Sequence, residues 1–148
     1  MKTIILVVTA TAISLTSCGQ EIPASKVPSV VQNTIQSKFT GAVDVEWEKE
    51  KDFYEAEFKV ATVEYKAHID GAGKLMAYKT DIKENEMPGA VTTAISTGHP
   101  GYKIDDVEKL EKDGITYYQV ELDSKGTKDL HLVYAADGKL AANIEYML

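Results

Sequence analysis

The alternation that decides the fold lies in residues 53–70, which read FYEAEFKVATVEYKAHID. Apolar side chains take every second position in two runs, 54–60 and 63–69, and Glu, Lys and His take the positions between them. Successive side chains of a β-strand point to opposite faces, so the pattern predicts antiparallel strands with one buried and one wet face. Residues 117–122 and 130–134 alternate in the same way and predict two more such strands.

Two segments with matching motifs surround these strands. The first repeat opens with VPSVV at 27–31 and closes with GKL at 73–75, while the second opens with MPGAV at 87–91 and closes with GKL at 138–140. Such self-similarity indicates an internal duplication. We therefore predict a first repeat over residues 25–83 and a second over residues 84–148.

Each repeat is predicted to begin with a helix. Pro28 and Pro88 suit a first helical turn, and apolar residues follow at helical spacing in both repeats, ending at Ile35 and Ile95. The predicted fold class is α+β, with two tandem α-β-meander repeats and an antiparallel sheet whose helices pack on one face. Trp47 is expected beneath a helix, with Val43 and Val45 on the same side of their strand.

The N-terminal residues 1–17 combine an early Lys with a short apolar run, which is too short for a membrane span and is typical of a signal peptide. The run ends in Leu15-Thr16-Ser17-Cys18-Gly19, which resembles the lipobox of bacterial lipoproteins. The resemblance implies lipidation of Cys18, the only Cys, and residues 18–24 are expected to be a tether. By resemblance to the sorting rules of Gram-negative lipoproteins, Gly19 after that Cys favours the outer membrane, with the protein facing the periplasm or the cell surface.

The helix openings, the alternating strands and the two Gly-Lys-Leu turns together resemble the PepSY-like family. Its members are secreted bacterial lipoproteins described as β-lactamase-inhibitor-like. The resemblance extends over residues 22–148 as two copies. It implies helices on one face of an antiparallel sheet, no enzyme activity, and a role in binding or inhibiting a partner protein.

Composition excludes several classes of function. The chain carries a net charge of −7 and no Arg, which disfavours a nucleic-acid partner. The three His are far apart and no metal-binding or phosphate-binding motif occurs, so neither a metal site nor a cofactor is expected. Clustered strand carboxylates leave a small carboxylate-dependent hydrolase as a third, unfavoured alternative to two non-catalytic functions.

The wet face of the predicted sheet is the candidate binding surface for a protein or peptide of the cell envelope. The leading hypothesis is a non-catalytic, lipid-anchored binding or inhibitor-like module, and the alternative is a structural or accessory envelope lipoprotein without a discrete ligand. The sequence leaves the oligomeric state open. The acidic balance favours a basic or mixed-charge partner. The candidate residues are Phe53, Glu55, Glu57, Glu64, His68, Tyr117, Gln119, Glu121 and His131.

Overall fold

The structure, a computed structural model, describes residues 19–124, 126 and 128–148. The predicted signal peptide and Cys18 lie outside these residues. The described residues contain two helices, α1 (Ser29–Lys38) and α2 (Gly89–Gly98), each preceded by a short 3₁₀ turn. The strands are β1 (Gln20–Glu21), β2 (Ala42–Lys49), β3 (Phe53–Val60), β4 (Val63–Asp70), β5 (Leu75–Asp81), β6 (Lys103–Lys112), β7 (Ile115–Asp123) and β8 (Leu130–Ala135).

The eight strands form one sheet in which each strand pairs with its neighbours along the chain. Every neighbouring pair is antiparallel. The prediction of an α+β chain with an antiparallel sheet is therefore confirmed. Strand β5 pairs with β4 on one side and with β6 on the other, so it joins the two repeats into a continuous sheet.

Apolar side chains of the sheet and the helices form two core clusters. In the first, Val31 and Ile35 of α1 pack with Phe58 and Ile69. In the second, Ile95 of α2 packs with the buried apolar residues of β6, β7 and β8. Cross-strand register places the sheet residues of both clusters on one face, which we call the inner face. The opposite, outer face carries the alternating polar residues of β3 and β4.

The glycines of the two Gly-Lys-Leu turns are required by a close approach to a helix. Gly73 and Gly138 both have φ of +85°. A Cβ at Gly73 would lie 2.9 Å from the carbonyl oxygen of Val30, and one at Gly138 would lie 2.5 Å from that of Ala90. Both φ and space therefore favour glycine, and the same contact ties turn to helix in each repeat.

A β-bulge in β2 corrects one expectation about the core. Trp47 is buried in the first cluster, as expected, and Val45 packs against that cluster, but Val43 is 51% exposed. The register of β2 on β3 shifts between Val43 and Glu46, and Asp44 in between has φ of +53°. Because the bulge breaks the two-residue period, Val43 leaves the side that Trp47 occupies.

Residues 136–148, here called the cover segment, leave the sheet after β8. Leu140 forms an isolated bridge with Tyr134, and the Ala141 N–H donates to the Val133 carbonyl at 2.8 Å. Beyond this point the segment packs on the outer face of the second repeat, where Ile144, Tyr146 and Met147 join a third apolar cluster. No helix in the described part of the chain is long and apolar enough to cross a membrane.

Candidate functional site

Charged side chains of β3 and β4 form a linked network on the outer face of the first repeat. The register sets Glu55 opposite His68 and Glu57 opposite Lys66. The Lys66 Nζ lies 3.1 Å from Glu55 Oε1 and 2.7 Å from Glu57 Oε1, while His68 Nε2 lies 2.7 Å from Glu55 Oε2. The structure thus brings four polar groups of two strands into one connected set.

An aromatic ring lies against this network. The centroids of the Phe53 and His68 rings are 4.2 Å apart. The Lys49 Nζ donates to the Phe53 carbonyl oxygen at 3.1 Å, which fixes the strand end that bears the ring. Phe53 is half-buried, so part of the ring remains accessible beside the charges. We call Phe53, Glu55, Glu57, Lys66 and His68 the Phe53 network.

Hydrogen bonds favour the ionised forms of Glu55 and Lys66. Burial would raise the pKa of Glu55, but hydrogen bonds from His68 and Lys66 outweigh it, so the pKa lies below the ordinary 4.5. Burial would likewise lower the pKa of Lys66, but hydrogen bonds to Glu57 and Glu55 keep that pKa above its ordinary value. A carboxylate held ionised in this way is poorly suited to act as the general acid of a hydrolase.

Glu64 lies next to the network on the outer face, at the hairpin end of β4. Its Oε1 is 3.0 Å from the Lys59 Nζ, and both side chains are exposed. These two residues border a shallow depression of about 300 Å³ whose lining also includes Lys79 and Glu108, so it lies where the two repeats meet. Most of its lining is charged.

The equivalent outer face of the second repeat is partly covered, which corrects the expectation that the whole face is exposed. Gln119 has an exposed fraction of 0%, and Tyr117 packs against the third apolar cluster together with the cover segment. The Gln119 Oε1 accepts from the Met147 N–H at 2.7 Å, and the Gln119 Nε2 donates to the Met147 carbonyl at 3.0 Å. Gln119 is therefore a buried contact of the cover segment and is unavailable to a partner while that segment is docked.

Glu121 and His131 stand opposite each other at the edge of the covered area. The Glu121 Oε1 lies 3.4 Å from the His131 Nε2, and both side chains keep about a third or more of their surface exposed. The His131 ring stacks on Tyr146 of the cover segment, with 4.7 Å between centroids. These two residues form a second polar group, separate from the Phe53 network.

Sequence reasoning missed the residues that hold the cover segment. Lys79 Nζ lies 2.7 Å from Glu108 Oε1 and donates to the Met147 carbonyl at 2.8 Å. Glu108 Oε2 accepts from Gln119 Nε2 at 2.7 Å. The alternation in β5 does not show which of its sides faces outward, so no local signal pointed to Lys79.

Three acidic residues meet near this point, where β5 and β6 pair. Asp81, Asp106 and Glu108 each place one carboxylate oxygen within 4.8 Å of the others. Burial, together with the charges of Asp106 and Glu108, raises the pKa of Asp81. Glu108 of this acidic group is already bound by Lys79 and Gln119.

Comparison with known proteins identifies the same fold in several bacterial proteins. A DUF2874 family protein from Bacteroides uniformis is 20% identical, with a TM-score of 0.71 over 77% of this chain and 86% of that one. A BLIP-like protein from Bacteroides fragilis is 22% identical, with a TM-score of 0.66 over 76% and 82% of the two chains. A Bacteroides eggerthii protein, described among "putative periplasmic proteins", is 15% identical, with a TM-score of 0.72 over 78% and 86%.

The sequence itself matches one family twice. No curated protein matches the chain. The model of the family described as "Putative beta-lactamase-inhibitor-like, PepSY-like" matches residues 14–77 and again residues 62–142. The two matches span most of the chain and agree with the duplication in the sequence. The chain therefore belongs to the PepSY-like, β-lactamase-inhibitor-like family.

Proposed function

We propose that this protein is a non-catalytic, lipid-anchored binding module of the cell envelope that acts through protein–protein contacts in the manner of an inhibitor. The proposal rests on the contacts within the Phe53 network. Its side chains are held by mutual contacts of 2.7–3.1 Å before any partner arrives. Binding to a prearranged surface loses less conformational entropy than binding to mobile side chains, which favours affinity.

The chemistry of the outer face selects the kind of partner. Around the network, β2 contributes Glu46 and Glu48, whose strand positions are paired with those of Glu57 and Glu55. Burial and the nearby charge of Glu55 raise the pKa of Glu48, which reflects the crowding of acidic groups here. A protein surface with Lys or Arg side chains and an apolar contact for Phe53 would complement this face.

Membership of the family supports the absence of catalysis, because the family is described by likeness to an inhibitor and the structural relatives include a BLIP-like protein. The proposal therefore includes an enzyme as one kind of partner. Purified β-lactamase is the first enzyme to test. Loss of its hydrolytic rate upon titration with the wild-type chain, and no loss with a Phe53→Ala variant, would identify inhibition.

The proposed location is the outer membrane, with the protein facing the periplasm or the cell surface, and Cys18 as the lipid-bearing residue. The domain limits proposed above, 25–83 and 84–148, belong to the same proposal. A Cys18→Ser variant should lose its lipid and move from the detergent phase to the aqueous phase upon phase separation. Partitioning equal to that of the wild type would remove the anchor from the proposal.

The binding function is tested by capture from envelope extract with the Cys18→Ser chain, followed by affinity measurement with the captured protein. Glu57→Lys reverses a charge in the Phe53 network, and Glu84→Lys makes the same change at an exposed site beside α2. Binding that is lost only in the first variant, and that weakens as salt is raised, supports the proposal. Equal binding by both variants would place the partner elsewhere, and no captured protein would favour the accessory lipoprotein.

A further inference from the structure

Polar side chains of β5 and β7 bind the cover segment through the backbone of Met147. The Met147 N–H donates to Gln119 Oε1 at 2.7 Å, and the Met147 carbonyl accepts from Gln119 Nε2 at 3.0 Å and from Lys79 Nζ at 2.8 Å. Every residue type except proline offers this N–H and C=O pair. These polar contacts therefore bind the backbone of one residue without reading its side chain.

The side-chain contacts add a selection for one residue pair. Met147 is 6% exposed and packs in a cluster with Ala77, Leu110 and Val133. The Tyr146 ring stacks on His131 at the edge of that cluster. An aromatic residue followed by an unbranched apolar residue fits these two positions.

The groups that bind the backbone are fixed by the sheet and by one another. Gln119, Glu108 and Lys79 lie on three adjacent strands, β7, β6 and β5. Gln119 Nε2 also donates to Glu108 Oε2 at 2.7 Å, and Glu108 Oε1 lies 2.7 Å from Lys79 Nζ. Both oxygens of the Glu108 carboxylate thus orient donors toward the Met147 carbonyl, independently of the occupant's side chains.

The last residues of the cover segment, 144–148, do not pair with a strand of the sheet. In the first repeat, the residues after the Gly-Lys-Leu turn continue as β5 beside β4, with Leu75 opposite Ile69. In the second repeat, Leu140 makes one isolated bridge and the following residues turn onto the outer face instead. Release of the cover segment therefore leaves the β7–β8 pairing intact, as is expected of a locally unfolding element.

From these contacts we propose that Gln119, Lys79 and Glu108, with the apolar cluster of Ala77, Leu110 and Val133, form a peptide-binding site whose resident occupant is residues 144–148. Its ligand class is a peptide with an aromatic residue followed by methionine or a similar unbranched apolar residue. Such a peptide binds when the cover segment is released. This site is distinct from the Phe53 network and does not depend on the function proposed for it.

The test uses the full chain and a fluorescent peptide of residues 140–148, acetylated and amidated. A Tyr146→Ala/Met147→Ala chain weakens the resident segment and leaves the binding groups unchanged. Because a tethered segment competes at high effective concentration, we expect the peptide to bind this variant at least about tenfold more tightly than it binds the wild type. The same peptide with Ala in place of its Tyr and Met should not bind.

A second substitution identifies the site. In the double variant, Gln119→Leu should reverse the gain in peptide affinity. Gln36→Leu makes the same change at an exposed position of α1 and should leave the gain unchanged. Binding that is indifferent to Gln119→Leu would overturn the proposal. So would absence of binding to a double variant whose melting curve shows a folded protein.

If the double variant does not fold, hydrogen exchange on the wild-type chain tests whether the cover segment is released from the folded protein. The proposal expects the Met147 amide to exchange at least about a hundredfold faster than the Val120 amide in the centre of β7, because release of the segment needs no global unfolding. Equal rates for the two amides would show that the segment leaves only when the whole protein unfolds, and would overturn the proposal.

Discussion

The outer faces of the two repeats share a backbone and differ in what lies on them. Glu55 and Gln119 occupy equivalent positions on β3 and β7, as do Phe53 and Tyr117. On the first repeat Glu55 is bound by Lys66 and His68 of the neighbouring strand. On the second repeat Gln119 is buried beneath the cover segment. Duplication has thus produced one charged face and one covered face.

The chemistry of a single position accounts for much of this difference. An ionised carboxylate accepts hydrogen bonds but donates none, whereas an amide does both. Gln119 uses its oxygen for the Met147 N–H and its nitrogen for Glu108 and the Met147 carbonyl. A carboxylate in its place would lack those donors and would face the carboxylate of Glu108. The covered face therefore depends on Gln119, and the charged face on Glu55.

The largest expected effect is a loss of stability when the buried isoleucine that each repeat has in its helix is truncated. Ile35 and Ile95 are 2% and 4% exposed beneath α1 and α2. Ile35→Ala and Ile95→Ala should each lower the free energy of unfolding by about 2–5 kcal/mol, because each leaves a cavity in a packed core. Denaturant unfolding measures the loss, with Gln36→Ala as the exposed control. A change within error for either isoleucine would remove that helix from the core.

A somewhat smaller effect is expected from exchanging the residues that distinguish the faces. Gln119→Glu should lower the free energy of unfolding by about 1–3 kcal/mol at neutral pH, because it leaves the buried Met147 carbonyl with one donor fewer and adds a charge beside Glu108. Glu55→Gln, the reciprocal change, should lower it by less than Gln119→Glu, because its partners reach water. Thermal melts of both variants give the ordering, and the reverse ordering would contradict the role assigned to Gln119.

The two turn glycines should respond alike. Gly73→Ala and Gly138→Ala should each lower the free energy of unfolding by about 1–2 kcal/mol, because both residues have positive φ and the new Cβ would meet a helix carbonyl. Gly71→Ala is the control, since its Cβ would meet nothing within 4 Å and its φ lies outside the left-handed region. Unequal losses at Gly73 and Gly138 would show that the repeats differ in helix docking as well.

The smallest effect is the pH dependence that Glu55 contributes in the first repeat. The pKa of Glu55 lies below 4.5 in the folded chain, so the folded state favours its ionised form. Its contribution to stability is present above that ordinary value and is lost as the pH falls through the lowered pKa. The stability difference between wild type and Glu55→Gln should therefore shrink on acidification below 4.5. A stability difference that does not change with pH would show that the ionised Glu55 carboxylate does not stabilise the fold through its contacts with Lys66 and His68.

Local pattern predicted four of the strands found in the described residues and missed two features that depend on contacts between distant residues. Two-residue alternation identified β3, β4, β7 and β8 and assigned their polar residues to one face. It failed at Val43, because the positive φ of Asp44 in the bulge interrupts the period without any signal in the neighbouring residues. Both helices were predicted correctly, because the same helical spacing of apolar residues occurs in the two repeats.

The cover segment could not be predicted from its own residues. Its docking depends on Gln119, Lys79 and Glu108, which are distant in sequence and meet only when β5, β6 and β7 pair. The sequence therefore led to a candidate face with nine members, and only the folded chain separates the Phe53 network from the covered Gln119. Cys18 and its lipid remain a prediction of the sequence.

The two equivalent aromatic positions give the most direct test of the account. Phe53→Ala and Tyr117→Ala are each compared with wild type in affinity for the envelope protein captured by the Cys18→Ser chain, once melting curves show folded variants. We expect Phe53→Ala to weaken binding by at least about tenfold, and Tyr117→Ala, beneath the cover segment, to change it by less than about threefold. Equal losses from both variants, or no loss from Phe53→Ala, would contradict the assignment of binding to the charged face of the first repeat.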